Sequence, residues 1–231
     1  MRTVSSRQNP LVKRIREAIR EHADEIAIEG PKAVADAIAG GWKPIVVIER
    51  GVQMSEELFD TLAETRTTQG VLGLFERPRA DASRILAKRD TIAVALDGVQ
   101  DPGNVGTIVR LAAAFDASGV LLLPGSADAY GPKAIRSSAG AILTVPVAKI
   151  TMQELIDADV PLVSTAMSGA HADPPTRDAV LVFGNEGAGV SAALLERSAK
   201  IAIATSGRVE SLNVATSAAI LLSRSYALRA R

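Results

Sequence analysis

The chain has 231 residues, 47% apolar and 23% charged, with 26 basic and 26 acidic side chains and no cysteine. This is the composition of a globular chain with a packed core, long enough for one large or two modest domains, and its balanced charge does not by itself announce a nucleic-acid binder. The missing cysteines exclude disulfides, thiolate nucleophiles and cysteine-ligated zinc.

Residues 1–20 set Arg2, Arg7, Lys13, Arg14, Arg16 and Arg20 against one acid, Glu17, which leaves a local basic patch. No apolar run follows these bases, so they do not open a secretory signal. No apolar stretch approaches the roughly 18 to 20 residues of a membrane span. The expectation is a soluble, cytoplasmic protein with no membrane partner.

From residue 25 short β-branched runs alternate with longer periodic ones: EIAIE, PKAVADAIAGG, PIVVIE, SEELFDTLAET and VLGLF. Pro31 sits in a first turn, Gly40 and Gly41 follow a last turn, and Ser55 stands as an N-cap. This predicts a small α/β domain over residues 1–80. The charged stretch ERPRADASRILAKRD contains Pro78 and ends it, with a linker expected at 81–90 and a second domain at 91–231.

In that second domain the strands are apolar on both faces: TIAVAL at 91–96, VLLL at 120–123, PLVST at 161–165, VLVF at 180–183 and IAIA at 201–204. Continuous apolar strands separated by helical stretches predict a parallel sheet covered by helices on both sides. In such a sheet ligands bind beyond the carboxyl ends of the strands, which directs attention to three strand-to-loop junctions.

The first junction is LDGVQDPGNVGTIVRLAAAF, residues 96–115. On a helical wheel Val105, Ile108, Val109, Leu111, Ala112 and Phe115 share one side and Arg110 lies opposite. Asn104 is placed to cap the helix. On this pattern alone Arg110 is an ordinary exposed arginine more readily than a site residue. The second junction, LVFGNEGAGVS at 181–191, brackets Asn185 and Glu186 with three glycines that let the backbone turn tightly. Glu186 reads equally as a complement to a helix dipole and as a functional carboxylate. Neither a P-loop ending nor a G-x-G-x-x-G spacing is present, so phosphate cradling has no fingerprint here. The third, IAIATSGRVESLNVATSAAILL at 201–222, places Ser211 and Asn213 at the start of a long helix, where capping explains one of the two.

Taken in order, NVGTIVR, LVFGNEGAGVS and VESLNVATSAAI resemble the three motifs of the SpoU–TrmH family within the SPOUT methyltransferases, over residues 91–231. More loosely, NPLVKRIREA, IEGPKAVADAIAGG and TQGVLGLFERP resemble the small L30e-like RNA-binding domain that precedes the catalytic domain in ribosomal-RNA members. The resemblance implies an α/β catalytic domain with a trefoil knot, a homodimer, and S-adenosylmethionine as cofactor with no metal. It implies methyl transfer to a ribose 2′-hydroxyl, with 23S ribosomal RNA favoured over transfer RNA. Carried over by position, Arg110, Asn104, Glu186, Ser211 and Asn213 form the catalytic and RNA-contacting group. Gly184, Ile203 and Leu212 contact the cofactor, joined by Thr165, Ala166, Asn185 and Gly187. One departure is visible: Ala204-Thr205 stands where the family usually has Pro-Met, which loosens the loop around the cofactor.

Two other classes compete with this reading. A knotted RNA-binding protein that has lost catalysis would act in ribosome assembly, and retention of Asn104, Arg110, Glu186 and Asn213 argues against it. A nicotinamide-dependent oxidoreductase would account for glycine loops in an α/β sheet but lacks its fingerprint. The two histidines, His22 and His171, lie outside every motif and are expected at the surface or in structural roles.

Overall fold

The computed structural model describes residues 3–20, 24–63 and 68–230. The chain forms two compact units, Met1–Pro78 with Tyr130–Pro132, and Arg79–Ala129 with Lys133–Arg231. His22 and Arg2 lie outside the described residues.

The smaller unit is an antiparallel three-stranded sheet with helices. Its elements are α1 (Pro10–Arg20), β1 (Glu25–Glu29), α2 (Pro31–Ala39), β2 (Pro44–Glu49), α3 (Glu56–Asp60) and β3 (Val71–Glu76), with β3 between β1 and β2. Helix α1 buries Val12, Ile15 and Ala18, spaced to form one stripe, against Ile48, Met54, Leu58, Phe59, Leu72 and Leu74. Its other side exposes Lys13, Arg14, Glu17 and Arg20, and Arg14 pairs with Glu25. The helix expected across SEELFDTLAET is only Glu56–Asp60. Ser55 occupies its N-cap position without a side-chain cap bond.

The larger unit is a six-stranded, wholly parallel sheet. Its strands are β4 (Ile92–Asp97), β5 (Val120–Leu122), β6 (Val147–Lys149), β7 (Leu162–Ala170), β8 (Ala179–Gly184) and β9 (Ala199–Ile201), in the order β6-β5-β4-β8-β7-β9. The helices are α4 (Ala82–Ala87), α5 (Pro102–Ala114), α6 (Pro132–Ser138), α7 (Met152–Asp157), α8 (Ala192–Arg197) and α9 (Val214–Arg229). Every residue of β4 and β8 is buried, as continuous apolar strands between two helical layers require.

Two local expectations need correction, and one strand carries no expectation. Residues 81–90, read as a linker, contain α4, which Asp81 caps by accepting from the Ser83 amide at 2.9 Å. Its Ile85 joins Ala93, Ala95, Leu121 and Ala148 in the core, so one buried side chain among charged neighbours anchors the segment. Strand β6 is illegible in the sequence, because a three-residue Val-Ala-Lys strand carries almost no pattern. The strand expected at 201–204 ends at Ile201 instead.

The sheet fixes where a ligand can sit. From central β4 the chain moves outward to β5 and β6 on one side, then fills the other side with β7, β8 and β9. Strand order therefore reverses between β4 and β8. In open α/β sheets the crevice for ligands opens beyond the carboxyl ends of the strands at such a reversal.

Candidate active site

The loops that leave β4 and β8 meet at this reversal and are tied together by side chains. At the end of β4, buried Asp97 accepts from the Ser191 amide at 2.7 Å. The next residue, Gly98, has φ of +70°, a left-handed turn that glycine takes without strain. Its carbonyl accepts from Asn185 Nδ2 at 2.8 Å. Asn185 Oδ1 accepts the amides of Gly187 and Ala188, both at 2.9 Å. One asparagine thus folds its own loop and fastens it to the neighbouring one. Gly184 makes that fold feasible, since a Cβ there would lie 2.1 Å from the Gly189 carbonyl carbon.

Glu186 reaches across the same gap. Oε1 accepts from Asn104 Nδ2 at 2.9 Å and from the Asp101 amide at 3.3 Å, and Oε2 accepts from the Gln100 amide at 3.2 Å. Asn104 Oδ1 in turn accepts from Asn213 Nδ2 at 3.2 Å. Asn213 is the N-cap of α9, its Oδ1 accepting the Ala215 and Thr216 amides. The three sequence motifs therefore converge through one chain of hydrogen bonds, Glu186 to Asn104 to Asn213.

Partial burial pushes the Glu186 carboxyl up. The Asn104 side chain, its own amide and the Gln100 and Asp101 amides outweigh that and hold it below its ordinary value. Glu186 is thus an anion whose lone pairs already face donors, a fastening group rather than a proton acceptor.

Asn104 does not cap α5, as its position suggested. Asp101 does, accepting from the Gly103 amide at 2.7 Å, with Pro102 in the first turn. The signal was present, because an acid directly before a proline marks a helix start. Freed from capping, Asn104 can join Glu186 to Asn213. Arg110, further along α5, is exposed and has no hydrogen-bond or ion-pair partner among the described residues. Ser211 is exposed two residues before Asn213 and bonds to none of the other four.

Of the residues assigned to a cofactor, Thr165 and Ala166 lie within β7, Gly184 ends β8 with Asn185 and Gly187 in the loop after it, Ile203 follows β9, and Leu212 directly precedes the α9 cap. Ser164 pairs with Val182 and Thr165 with Ile201, so Thr165 and Ala166 of β7 run beside Gly184 of β8 and the chain leaving β9. Thr165 Oγ1 donates to the Val182 carbonyl at 3.2 Å. Ala166, Ile203 and Leu212 are half-buried and Gly187 is exposed. Small and apolar side chains with no charge among them, beside a tightly turned backbone, suit an adenine ring and a neutral ribose. The residues present fit S-adenosylmethionine.

Sequence reasoning missed Asp97, Asp101 as a cap, and Lys133, whose ammonium lies 2.7 Å from Asp101 Oδ1. The Asp97–Ser191 contact spans 94 positions and leaves no local trace. His171 is exposed and outside this network. No group of three or more potential metal ligands and no helix long and apolar enough to cross a membrane occurs among the described residues.

The chain is similar to known proteins. The SpoU rRNA Methylase family matches residues 91–223. The chain is 35% identical over 214 residues to the 23S rRNA (guanosine(2553)-2'-O)-methyltransferase of Bacillus subtilis, covering 87% of this chain and 84% of that protein. It is 28% identical to the 23S rRNA (uridine(2479)-2'-O)-methyltransferase of Streptomyces viridochromogenes, over 88% and 83% of the two chains. Its fold is similar to that of the AdoMet-bound rRNA methyltransferase from Sinorhizobium meliloti, with a TM-score of 0.88, 29% identity and 98% of each chain covered. With all three motifs joined at one site and the family matching across that site, the chain belongs to the SpoU rRNA methylase family.

Proposed function

We propose that the protein methylates a ribose 2′-hydroxyl of 23S ribosomal RNA, with S-adenosylmethionine as methyl donor. The observation that carries this reading is the bond chain Glu186–Asn104–Asn213, which rests on the same helix as an unpaired, exposed Arg110. When bound, the cofactor supplies an electrophilic methyl group on a sulfonium. The chain's own residues then have to position a ribose oxygen in line with that methyl and stabilise the charge it develops.

Arg110 serves the second task. A guanidinium stays protonated at any working pH and cannot act as a base, but its planar fork can donate to a developing alkoxide and to a phosphate together. The hydroxyl proton passes to solvent. Glu186 and Asn213 fix Asn104 and hold the loops after β4 and β8 in register, so that the start of α5, and Arg110 with it, is set before RNA arrives.

The names of the Bacillus and Streptomyces relatives favour 23S ribosomal RNA over transfer RNA as substrate. The exposed basic side of α1 supports the smaller unit, by its resemblance an L30e-like domain, as the part that grips RNA. A trefoil knot and a homodimer complete the reading. Met167, Ile220 and Tyr226 are exposed apolar side chains of the larger unit that a second copy could cover. Mapping ribose methylation in ribosomal RNA from a deletion strain, with and without complementation, tests the proposal. One 23S ribose methylation should vanish and return, and an unchanged 23S map would refute it.

A further inference from the structure

Helix α6 lies against the first half of α5 because Gly106 has no side chain to hold it off. A Cβ on Gly106 would stand 2.2 Å from the Ala134 carbonyl oxygen and 2.8 Å from Ser137 Cβ. A Cβ on Gly103 would stand 3.2 Å from Lys133 Cε. The Lys133 stem therefore crosses α5 at Gly103 and delivers its ammonium to the capping carboxylate of Asp101, 2.7 Å away. Coupling to that ammonium and to the Gly103 amide holds the Asp101 carboxyl below its ordinary value, against a smaller opposing effect of burial.

On the α5 wheel Gly103, Gly106 and Arg110 fall within about 60° of one another, and Arg110 lies two turns, roughly 10 Å, beyond Gly103. Lys133 and Arg110 therefore stand along one stripe of α5. Lys133 remains 59% exposed and Asp101 46% exposed. A pair so open to water is held weakly and exchanges readily for a better anion.

We infer that Lys133 is an RNA-gripping residue: its ammonium leaves Asp101 for a backbone phosphate beside the target nucleotide, while Arg110 attends to the reacting ribose. Asp101 keeps the lysine extended along the stripe until RNA arrives. This rests on the proposed methylation of 23S ribosomal RNA.

The test measures binding of the full chain to unmodified 23S transcript across a series of KCl concentrations, together with steady-state methylation. Lys133→Met should weaken binding several-fold and lower the log–log salt slope by about 1, the mark of one lost phosphate contact. KM for RNA should rise while kcat, cofactor affinity and melting temperature hold, and Lys133→Arg should restore the slope. Asp101→Asn keeps the oxygen that the Gly103 amide and the ammonium share but removes its negative charge, which loosens the ammonium, so its RNA affinity should equal or exceed that of wild type. A Lys133→Met enzyme with wild-type slope and affinity would overturn the inference, as would equal losses in Asp101→Asn and Lys133→Met with no change in slope, which would mark the pair as a helix-capping device. Failure of the wild type to methylate this transcript would count instead against the proposed function.

Discussion

In the proposed mechanism Glu186 and Arg110 carry opposite charges and divide the work. Glu186 accepts three donors from the segment 100–104, so Glu186→Gln turns an acceptor into a donor that faces an N–H. The residue is exposed and its loss uncovers no cavity. Turnover should therefore fall more than tenfold while the melting curve barely moves. A protein that melts much earlier but turns over normally when cold would make Glu186 merely structural. The pH dependence has a definite sign. With its folded value held below the ordinary carboxylate value of about 4.3, the contribution of Glu186 is complete above that value and is lost only as pH falls through the lower folded one. No acid limb between pH 5 and 8 should disappear in Glu186→Gln; one that did would assign the glutamate as a base. Arg110→Ala should reduce turnover by about 10²–10³ with cofactor binding intact, by analogy with the loss of an oxyanion-hole donor. Arg110→Lys should recover little of it. Marked rescue of the lysine variant at high pH in single turnover would contradict electrostatic stabilisation.

Among elements, α5 depends most on glycine. Gly106→Ala drives a methyl into a backbone carbonyl that cannot swing aside. Overpacking of this kind costs about 1–3 kcal/mol, so thermal denaturation should show a melting point lower by roughly 3–10 °C. Gly187→Ala is the contrasting case, with its added Cβ in ordinary contact 3.6 Å from Asn185 Oδ1. Its melting point should hold, while cofactor affinity falls if this loop touches the cofactor, as calorimetric titration would show. The elements that sequence revealed were those with long local patterns. The apolar runs of β4, β5, β7 and β8 could be read directly, and so could the three junctions, because each packs its chemistry into a few consecutive residues. Strand β6 and helix α4 escaped because neighbours in space, not in sequence, make them what they are: Ala148 and Ile85 become core residues only beside Ala93 and Leu121. The candidate site was legible as a set of residues but not as a network. Glu186 and Asn104 are 82 positions apart, and Asn213 and Asn104 are 109 apart. The wheel that set Arg110 on the solvent side was correct about exposure, and exposure is what a residue waiting for substrate requires.

At the scale of the whole molecule, the proposed function puts most of the RNA grip on the smaller unit, and the chemistry, with the single phosphate contact of Lys133, on the larger. A fragment beginning at Arg79, where the larger unit starts, should fold, sediment as a dimer and bind cofactor, yet lose most of its RNA affinity. A folded monomer in sedimentation would count against the homodimer. The central claim is tested most directly by letting the purified full chain transfer isotopically labelled methyl from S-adenosylmethionine to unmodified 23S transcript, then digesting the RNA to nucleosides for mass spectrometry. The account predicts label in one 2′-O-methylnucleoside, entering about 10²–10³ more slowly when Arg110→Ala replaces the wild type. Label on a base, or none on 23S RNA despite cofactor binding, would contradict it.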